Sequence, residues 1–122
     1  VIQAAKPITQ RIPLICVSSV EGGSVLVTPH GAWYGRTPQV EVKTSVGAGD
    51  SMVGGMCSVL SQWNFKRRDD PAFATYIKNE GHQMLRWGLA AACATLIVEG
   101  TQLGHQEAVH HYLPKIEIDK IF

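Results

Sequence analysis

Apolar residues in the first part of the chain form short runs or alternate with polar residues, as they do in β-strands. Residues 14–19 are a largely apolar run, which predicts a short strand buried on both faces. Residues 24–28 and 32–36 flank a turn signal at residues 29–31 and predict a β-hairpin. In residues 38–43 apolar and charged side chains alternate, which predicts another extended segment that leads into a glycine turn.

From Asp50 to about Trp63 the apolar spacing changes to three and four residues, which predicts a helix with one buried face. The apolar residues that define this face are Val53, Met56, Cys57, Leu60 and Trp63. Gly54 and Gly55 would each cost the helix roughly 0.5–1 kcal/mol relative to alanine. We therefore expect the helix backbone to pack closely on the sheet at these glycines, with a kink as the alternative.

Two further helices are predicted after a polar loop. Asp70 followed by Pro71 predicts an N-cap and a first helical position, and the helix should extend to about residue 80. Gly81 is expected to separate it from a second helix over residues 82–98, where many alanines allow close approach.

The two ends of the chain carry weaker patterns. Residues 1–12 predict a remnant of a helix, and residues 106–113 predict a last short helix that Pro114 ends, before a tail at residues 115–122. Together the elements predict a three-layer α/β fold with a central sheet flanked by helices. Loops at one edge of that sheet should form the functional site.

Composition narrows the class of protein. The chain has 122 residues and 45% hydrophobic content, which fits a single α/β unit. A net charge of +1 without a long basic run argues against nucleic acid or an anionic membrane as the main partner, and the basic residues 66–68 are expected to be a solvated loop. No apolar run approaches the ~20 residues of a membrane span, and no signal peptide is recognised, so a cytoplasmic location is expected.

Residues that could serve redox or metal chemistry favour ordinary packing instead. The cysteines lie in apolar stretches without paired spacing and are expected to be buried free thiols, as in a reducing compartment: Cys16, Cys57 and Cys93. His110 and His111 would point about 100° apart on a helix, which argues against a metal site there. The tryptophans are expected to be packing residues: Trp33, Trp63 and Trp87.

The segment from Val40 to Gly55 carries the candidate chemistry. Gly47 and Gly49 can take backbone conformations that other residues avoid, so the N–H groups of the turn can converge on one point. The following helix adds its unpaired N–H groups and the positive end of its dipole, which predicts an anion hole with Asp50 at its rim. No Gly-Lys-Ser or Gly-Lys-Thr follows, so this is not a Walker-type loop. The alternative is an ordinary tight turn with Asp50 as the helix N-cap.

The run Ser45-Val46-Gly47-Ala48-Gly49-Asp50-Ser51-Met52-Val53-Gly54-Gly55 resembles the signature of the ribokinase-like carbohydrate kinases, the family named after the minor phosphofructokinase. In the phosphosugar branch of that family, which includes its phosphofructokinases, the run commonly starts with threonine and is otherwise the same. Val17-Ser18, then Gly23, a short hairpin and residues 38–42 lie where family members carry the strand, the phosphate-contacting loop and the hairpin that lead to the signature.

The resemblance covers nearly all 122 residues, whereas family members are well over twice this long. It implies that residues 1–122 are the nucleotide-binding and catalytic C-terminal portion of such a kinase. Residues 88–94 and 99–101 look like the adenine-side helix and loop of the family. The N-terminal portion of the family, with most sugar-binding residues and a small β-sheet lid, has no counterpart here. We therefore expect this portion to bind nucleotide better than it performs catalysis.

The reaction that the resemblance implies is transfer of the γ-phosphoryl group of ATP to a hexose phosphate such as fructose 1-phosphate or fructose 6-phosphate. Asp50 would be the general base for the sugar hydroxyl. The N–H groups of Gly47, Ala48, Gly49 and Asp50 would hold the phosphoryl oxygens, and Mg²⁺ would bridge the phosphates. The expected partners are ATP and a small phosphosugar, and a homodimer is the assembly considered for the intact protein.

Ser18 and Gly23 resemble the ends of the phosphate-side loop of the family, which commonly reads Ser-x-Gly-x-x-Gly, and they are candidate ATP contacts. Val20 takes the place of the middle glycine, and a β-branched residue cannot adopt the same dihedrals. Either nucleotide affinity is altered or Gly22 takes over in a shifted loop. The alternative for Ser18 is a serine at a strand end without a ligand.

Family members often hold a monovalent cation such as K⁺ through backbone carbonyls beside the anion hole. By resemblance, Thr44, Val46 and Gly100 are placed for that role. A function of a different class also stays open, namely a nucleotide-binding or interaction module without catalytic activity. Both functions predict ATP binding, and only the kinase transfers a phosphoryl group.

Overall fold

The structure is a computed structural model and describes residues 1–19, 23–62, 70–100 and 103–122. The described strands form one antiparallel sheet in chain order: β1 (Ile15–Ser18), β2 (Gly23–Thr28), β3 (Gly31–Arg36) and β4 (Glu117–Lys120). The helices are α1 (Ile2–Ala5), α2 (Ala48–Leu60), α3 (Pro71–Leu96) and α4 (Gln106–Tyr112), with short 3₁₀ helices at Lys6–Gln10 and Leu113–Lys115. Among these helices, none is both long enough and apolar enough to cross a bilayer.

The predicted hairpin is confirmed. β2 and β3 pair along their whole length, from Gly23 opposite Arg36 to Thr28 opposite Gly31. Thr28 stabilises the turn, because its hydroxyl donates to the Gly31 carbonyl at 3.0 Å and accepts from the His30 N–H at 3.2 Å.

Helices cover both faces of the sheet. Successive residues of a strand point to opposite faces. On one face Leu26 and Trp33, which are directly opposite each other, join Leu89 of α3 in the main core. On the other face Val27 of β2 belongs to a smaller cluster with Ala5 of α1. The expected three-layer α/β fold is therefore confirmed.

One expected break is wrong: α3 is a single helix of 26 residues that continues through Gly81. Gly81 is buried, and a Cβ built on it would lie 3.0 Å from the Trp33 ring. The absence of a side chain lets the helix lie on this tryptophan, and that packing outweighs a helix-propensity cost of about 1 kcal/mol. The start of α3 is as predicted, since the Asp70 side chain accepts the Ala72 N–H at 2.9 Å and Pro71 is the first helical residue.

Three predictions about strands are wrong. β1 is not buried on both faces, since its residues are half-buried or exposed. Residues 38–43 do not form a strand; instead the Lys43 N–H bonds the Leu96 carbonyl at 2.7 Å. The expected tail contains β4, in which Ile118 pairs with Gly35. The last two errors share a cause, because strand pairing depends on partners elsewhere in the sequence.

The C-terminal strand is also attached to α3. The Nη1 atom of Arg86 donates to the carbonyls of Leu113 at 3.1 Å and Ile116 at 2.6 Å. On the surface Arg36 pairs with Glu117 at 3.3 Å and with Asp119 at 2.7 Å. The partly buried Arg86 contacts explain why the 3₁₀ turn at Leu113–Lys115 continues past Pro114 into a strand.

The predicted buried face of α2 is partly wrong. Met52 and Val59 are its buried residues, whereas Val53 is 60% exposed and Cys57 is also exposed. The close packing expected at the glycines occurs at Gly55 alone, and it is against α3 rather than against the sheet. The helix face that approaches another helix most closely carries small residues. The spacing of the large apolar residues therefore did not predict which face of α2 packs against α3.

The packing predictions for single residues are mostly confirmed. Trp33 is buried and Trp87 packs against the cluster between α2 and α3. Cys93 is buried and Cys16 half-buried, but the exposed Cys57 corrects the expectation of three buried thiols. Predictions for Trp63, the basic residues 66–68 and Thr101 fall outside the described residues.

Candidate functional site

Gly47 begins the glycine turn with φ of 84°, in the left-handed region, and is the N-cap of α2. Glycine has no side chain that could cap the helix, so the backbone conformation of Gly47 defines the helix start. The Ser51 N–H donates to the Gly47 carbonyl at 2.9 Å, the first bond of the helical pattern. A helix leaves its first four N–H groups without a helical partner. Here these belong to residues 47–50, which are the four amides that the sequence singled out.

One of these amides has a local acceptor. The Ala48 N–H lies 3.3 Å from the Ser45 carbonyl, a long hydrogen bond that closes the turn. The Val46 N–H donates to the Thr44 hydroxyl at 3.2 Å. The turn is therefore organised by its own backbone and one threonine, and the positive end of the α2 dipole lies at it.

A cleft of about 400 Å³ adjoins the turn. Its polar side is formed by residues at the end of β1, near the start of β2, after β3 and before Gly47: Ser18, Ser19, Ser24, Thr37 and Ser45. The remaining residues line it with backbone and apolar groups: Ala48, Gly49, Met52, Leu89, Ala92 and Leu96. Three predicted site residues, Ser18, Ala48 and Gly49, therefore meet at one cleft.

Asp50 is the third residue of α2 and its side chain is exposed. It follows Gly49, which lines the cleft, but it is not itself a lining residue. Asp50 is not the helix N-cap, because that position belongs to Gly47 and no side chain caps the helix. The alternative of an ordinary turn capped by Asp50 is therefore excluded, and the carboxylate is accessible to solvent at the positive end of the helix.

Gly23 is placed differently from Ser18. It is buried at the start of β2, and a Cβ on it would collide with the Tyr34 ring, which would have to move to admit a larger residue. Its carbonyl accepts the Ser19 N–H at 2.8 Å, which joins the two ends of the predicted phosphate-side loop. Val20 and Gly22, on which the loop prediction also depends, lie in the undescribed residues 20–22.

The three residues predicted for a monovalent cation lie in the backbone around the turn. The Thr44 N–H lies 3.4 Å from the Leu96 carbonyl, Val46 is 57% exposed and Gly100 has φ of 71°. In the described part of the chain, no backbone N–H donates to the carbonyls of Thr44, Val46 or Gly100. The monovalent-cation site at these three carbonyls stays a prediction.

The histidines near the C-terminus make other contacts. His110 packs edge-on against Trp87 with ring centroids 5.6 Å apart, and His111 lies 3.0 Å from the Lys115 ammonium. Within residues 1–19, 23–62, 70–100 and 103–122, no three His, Cys, Asp or Glu residues form a group that could hold a metal ion.

Sequence reasoning missed several polar residues at the site. Thr95, in the last turn of α3, is fully buried and lies 2.6 Å from the Ser51 hydroxyl. Thr37 lines the cleft and forms a hydrogen bond with Cys93. Burial raises the pKa of the Cys93 thiol from 9.0 to about 11, and the hydrogen bond with Thr37 acts in the opposite direction. For Thr95 the sequence did contain a signal, namely a polar residue at the end of an otherwise apolar helix face. The spacing of apolar residues alone does not identify such a residue as part of a site.

Comparison with known proteins identifies the family of the chain. The sequence model of the pfkB family carbohydrate kinases matches residues 1–108. The chain is 40% identical over 57 residues to 1-phosphofructokinase of Escherichia coli strain K12, which covers 46% of this chain and 18% of the relative. It is 25% identical over 116 residues to 1-phosphofructokinase of Bacillus subtilis strain 168, which covers 95% of this chain and 33% of the relative.

Comparison of the fold with solved structures agrees with the sequence match. The structure of phosphofructokinase-2 from Escherichia coli in complex with potassium matches with a TM-score of 0.74 and 25% identity, over 92% of this chain and 32% of that one. The chain spans a third or less of the length of these relatives. Because the family model covers most of the chain and the fold agrees, the chain belongs to the pfkB family of carbohydrate kinases.

Proposed function

We propose that the protein containing this chain transfers the γ-phosphoryl group of ATP to a hydroxyl of a hexose phosphate, and that residues 1–122 supply its nucleotide-binding and catalytic portion. The observation that carries this proposal is the left-handed Gly47 at the start of α2. It places four amides without helical partners, an exposed carboxylate and a cleft at one end of one helix.

The amides of residues 47–50 suit a phosphoryl group in transfer. Charge in such a reaction is spread over the three equatorial oxygens, and there is little covalent work for the protein to do. Fixed N–H donors at a helix start stabilise that charge without having to reorganise during the reaction. The Ala48 N–H would exchange its long bond to Ser45 for a phosphoryl oxygen.

The cleft beside the turn suits the nucleotide. Its volume, about 400 Å³, is within the range of small-molecule sites, about 300–1,000 Å³. Leu89, Ala92 and Leu96 of α3 give it an apolar wall, which a flat nucleobase can cover. Ser18 lies at the same cleft as Gly49, which supports its proposed contact with ATP; Gly23 would act only by shaping the loop.

Asp50 is proposed as the general base. Its carboxylate is exposed, so an acceptor hydroxyl can reach it, and it lies one residue from the cleft-lining Gly49. A base in this position would take the hydroxyl proton as the oxygen attacks phosphorus. Assistance of this kind contributes typically about 10²–10⁴-fold to a rate.

Two cations accompany the proposal. Mg²⁺ binds through one or two carboxylates and substrate phosphates, so the described residues fit it only with ATP present. It would neutralise phosphate charge when bound. K⁺ is proposed to bind the carbonyls of Thr44, Val46 and Gly100, to which no described backbone N–H donates, and it would add positive charge beside the anion hole. The structural relative bound to potassium supports this second site.

The names of the two curated relatives favour fructose 1-phosphate as the acceptor over fructose 6-phosphate. A homodimer and a cytoplasmic location remain predictions from the sequence. The second candidate function, a nucleotide-binding module without catalysis, is supported by one observation. Asp50 lies outside the residues that line the cleft, so ATP could bind without engaging the carboxylate.

The decisive experiment uses the full-length protein, meaning this chain with any residues that adjoin it. ADP formation is measured with fructose 1-phosphate, fructose 6-phosphate and fructose as acceptors. Asp50→Asn should reduce turnover by about 10²–10⁴-fold and leave the ATP dissociation constant nearly unchanged. Glu107→Gln is the matched control, because Glu107 is an exposed acidic residue in the first turn of α4.

Each outcome decides between the two functions. Phosphorylation of a hexose phosphate that depends on Asp50 supports the kinase. ATP binding without transfer to any acceptor supports the module. Full activity of the Asp50→Asn variant would show that another group accepts the proton.

A further inference from the structure

The hydroxyl of Thr95 connects three separate segments of the chain. Thr95 is 0% exposed in the last turn of α3. Its Oγ1 lies 2.6 Å from the Ser51 Oγ in the first turns of α2, and it accepts the Gly104 N–H at 2.9 Å. A hydroxyl has one proton and two lone pairs, so these contacts use most of its capacity.

The next residue of α3 holds the other side of the glycine turn. The Leu96 carbonyl accepts from the N–H groups of Lys43 at 2.7 Å and Thr44 at 3.4 Å. The end of α3 is therefore attached to the turn both before Gly47, through Leu96, and after it, through Thr95. A Cβ built on Gly47 would lie 3.9 Å from the Thr95 Cγ2 atom, so the threonine side chain lies beside the turn.

The hydrogen bond from the Gly104 N–H attaches a third segment, residues 103–104, to Thr95. A Cβ on Gly104 would lie 2.5 Å from the carbonyl carbon of Ala94, so this segment lies close against α3. The Leu103 side chain lies beside Gly47, with its Cδ2 atom 3.5 Å from a Cβ built there. The Thr95 hydroxyl thus fixes both α2 and the segment that covers the outside of the turn.

We propose that Thr95 is a positioning residue for phosphoryl transfer: its buried hydroxyl holds Ser51, and through it the amides of residues 47–50 and the carboxylate of Asp50. The inference rests on the function proposed above. Ser51 follows Asp50 directly, so any movement of Ser51 moves the base and the amides together. A displacement of about 1 Å in a catalytic arrangement can cost ~10²-fold in rate.

The test is Thr95→Val in the full-length protein, which keeps the shape of the side chain and removes the hydroxyl. We expect kcat to fall by about 10- to 100-fold. The KM values for ATP and sugar should change less than kcat does, because the cleft remains and only the alignment of the amides and of Asp50 is lost. Thr95→Ser, which restores the hydroxyl, should recover most of kcat.

Two further variants separate positioning from folding. Ser51→Ala removes the partner hydroxyl and should lower kcat similarly, and the double variant should be no worse than Thr95→Val alone if the two residues act as a pair. Thr75→Val is the matched control, because Thr75 is exposed and its described hydrogen bond is to the Pro71 carbonyl on the same helix. It should leave kcat unchanged.

Hydrogen exchange supplies a readout that does not need activity. Thr95→Val should speed exchange of the hydrogen-bonded amides of Thr44, Ala48 and Ser51, whereas Thr95→Ser should not. If the wild-type protein shows no kinase activity, the proposed function is wrong. Hydrogen exchange would then still test whether Thr95 holds the turn. Wild-type kcat and unchanged exchange in Thr95→Val would overturn the inference.

Discussion

The backbone of Gly55 in α2 lies directly against the carbonyl oxygen of Trp87 in α3, so closely that a Cβ built on Gly55 would lie 2.5 Å from that oxygen. The neighbouring Gly88 has the same relation to α2, since its Cβ would lie 3.1 Å from the Met52 carbonyl. The two helices meet at this pair of glycines. The contact fixes α2, whose first turn forms the candidate site, on the long helix α3.

Replacement of Gly55 should therefore be costly, while Gly54 offers a matched control on the same helix. A Cβ on Gly54 has no atom within 4 Å. We expect Gly55→Ala to lower the free energy of unfolding by about 1–3 kcal/mol through overpacking. Gly54→Ala should raise it by about 0.5–1 kcal/mol, because alanine favours the helix. Urea denaturation of the full-length protein measures both, and equal effects would contradict the helix contact.

The parts of the fold that could be predicted from the sequence depend on local signals. The hairpin of β2 and β3 followed from its turn, and the start of α3 followed from Asp70 and Pro71. The glycine turn predicted a helix start, which the structure has at Ala48, two residues before the predicted Asp50; the anion hole formed by its amides stays a prediction. In each case the residues that determine the element are neighbours in the chain.

The remaining features depend on contacts between distant residues. Gly81 does not end α3, because Trp33 lies against it. β4 forms because β3 and Arg86 hold it, and the C-terminal residues alone carry no strong strand signal. Thr95 was missed as part of the site for the same reason, since only the folded chain brings it to Ser51. Periodicity predicts elements, but it does not predict which faces meet.

The cysteines should differ in reactivity, since burial raises the pKa values of Cys16 and Cys93 from 9.0 to about 11 while Cys57 is exposed. At pH 8 a thiol with a pKa of about 11 is only about 0.1% thiolate, and the thiolate is the reactive form. We expect iodoacetamide to label Cys57 rapidly and the other two slowly, as measured by mass spectrometry of the peptides.

Denaturant is the control for this prediction. In urea all three cysteines should react at similar rates, because unfolding removes the burial that protects Cys16 and Cys93. Rapid labelling of Cys93 in the native protein would show that α3 is not packed against the sheet as described.

Replacement of the two glycines of the turn by alanine should have different effects, on stability at Gly47 and on ATP binding at Gly49. Gly47 has φ of 84°, where a residue with a Cβ is strained by roughly 1–2 kcal/mol. Gly49 has no such strain, and a Cβ on it meets no atom within 4 Å, but it lines the cleft. The first position thus depends on backbone shape, and the second on the space that a phosphate group would occupy.

Gly47→Ala should lower the free energy of unfolding by about 1–2 kcal/mol, because the left-handed conformation is lost or strained. Gly49→Ala should leave stability unchanged and weaken ATP binding by about tenfold, or ~1.4 kcal/mol, because its methyl group keeps the phosphates from the amides. Thermal unfolding and ATP titration of the full-length protein separate the two effects. If Gly49→Ala binds ATP as tightly as the wild type, the phosphates do not approach the first turn of α2, and the anion hole lies elsewhere.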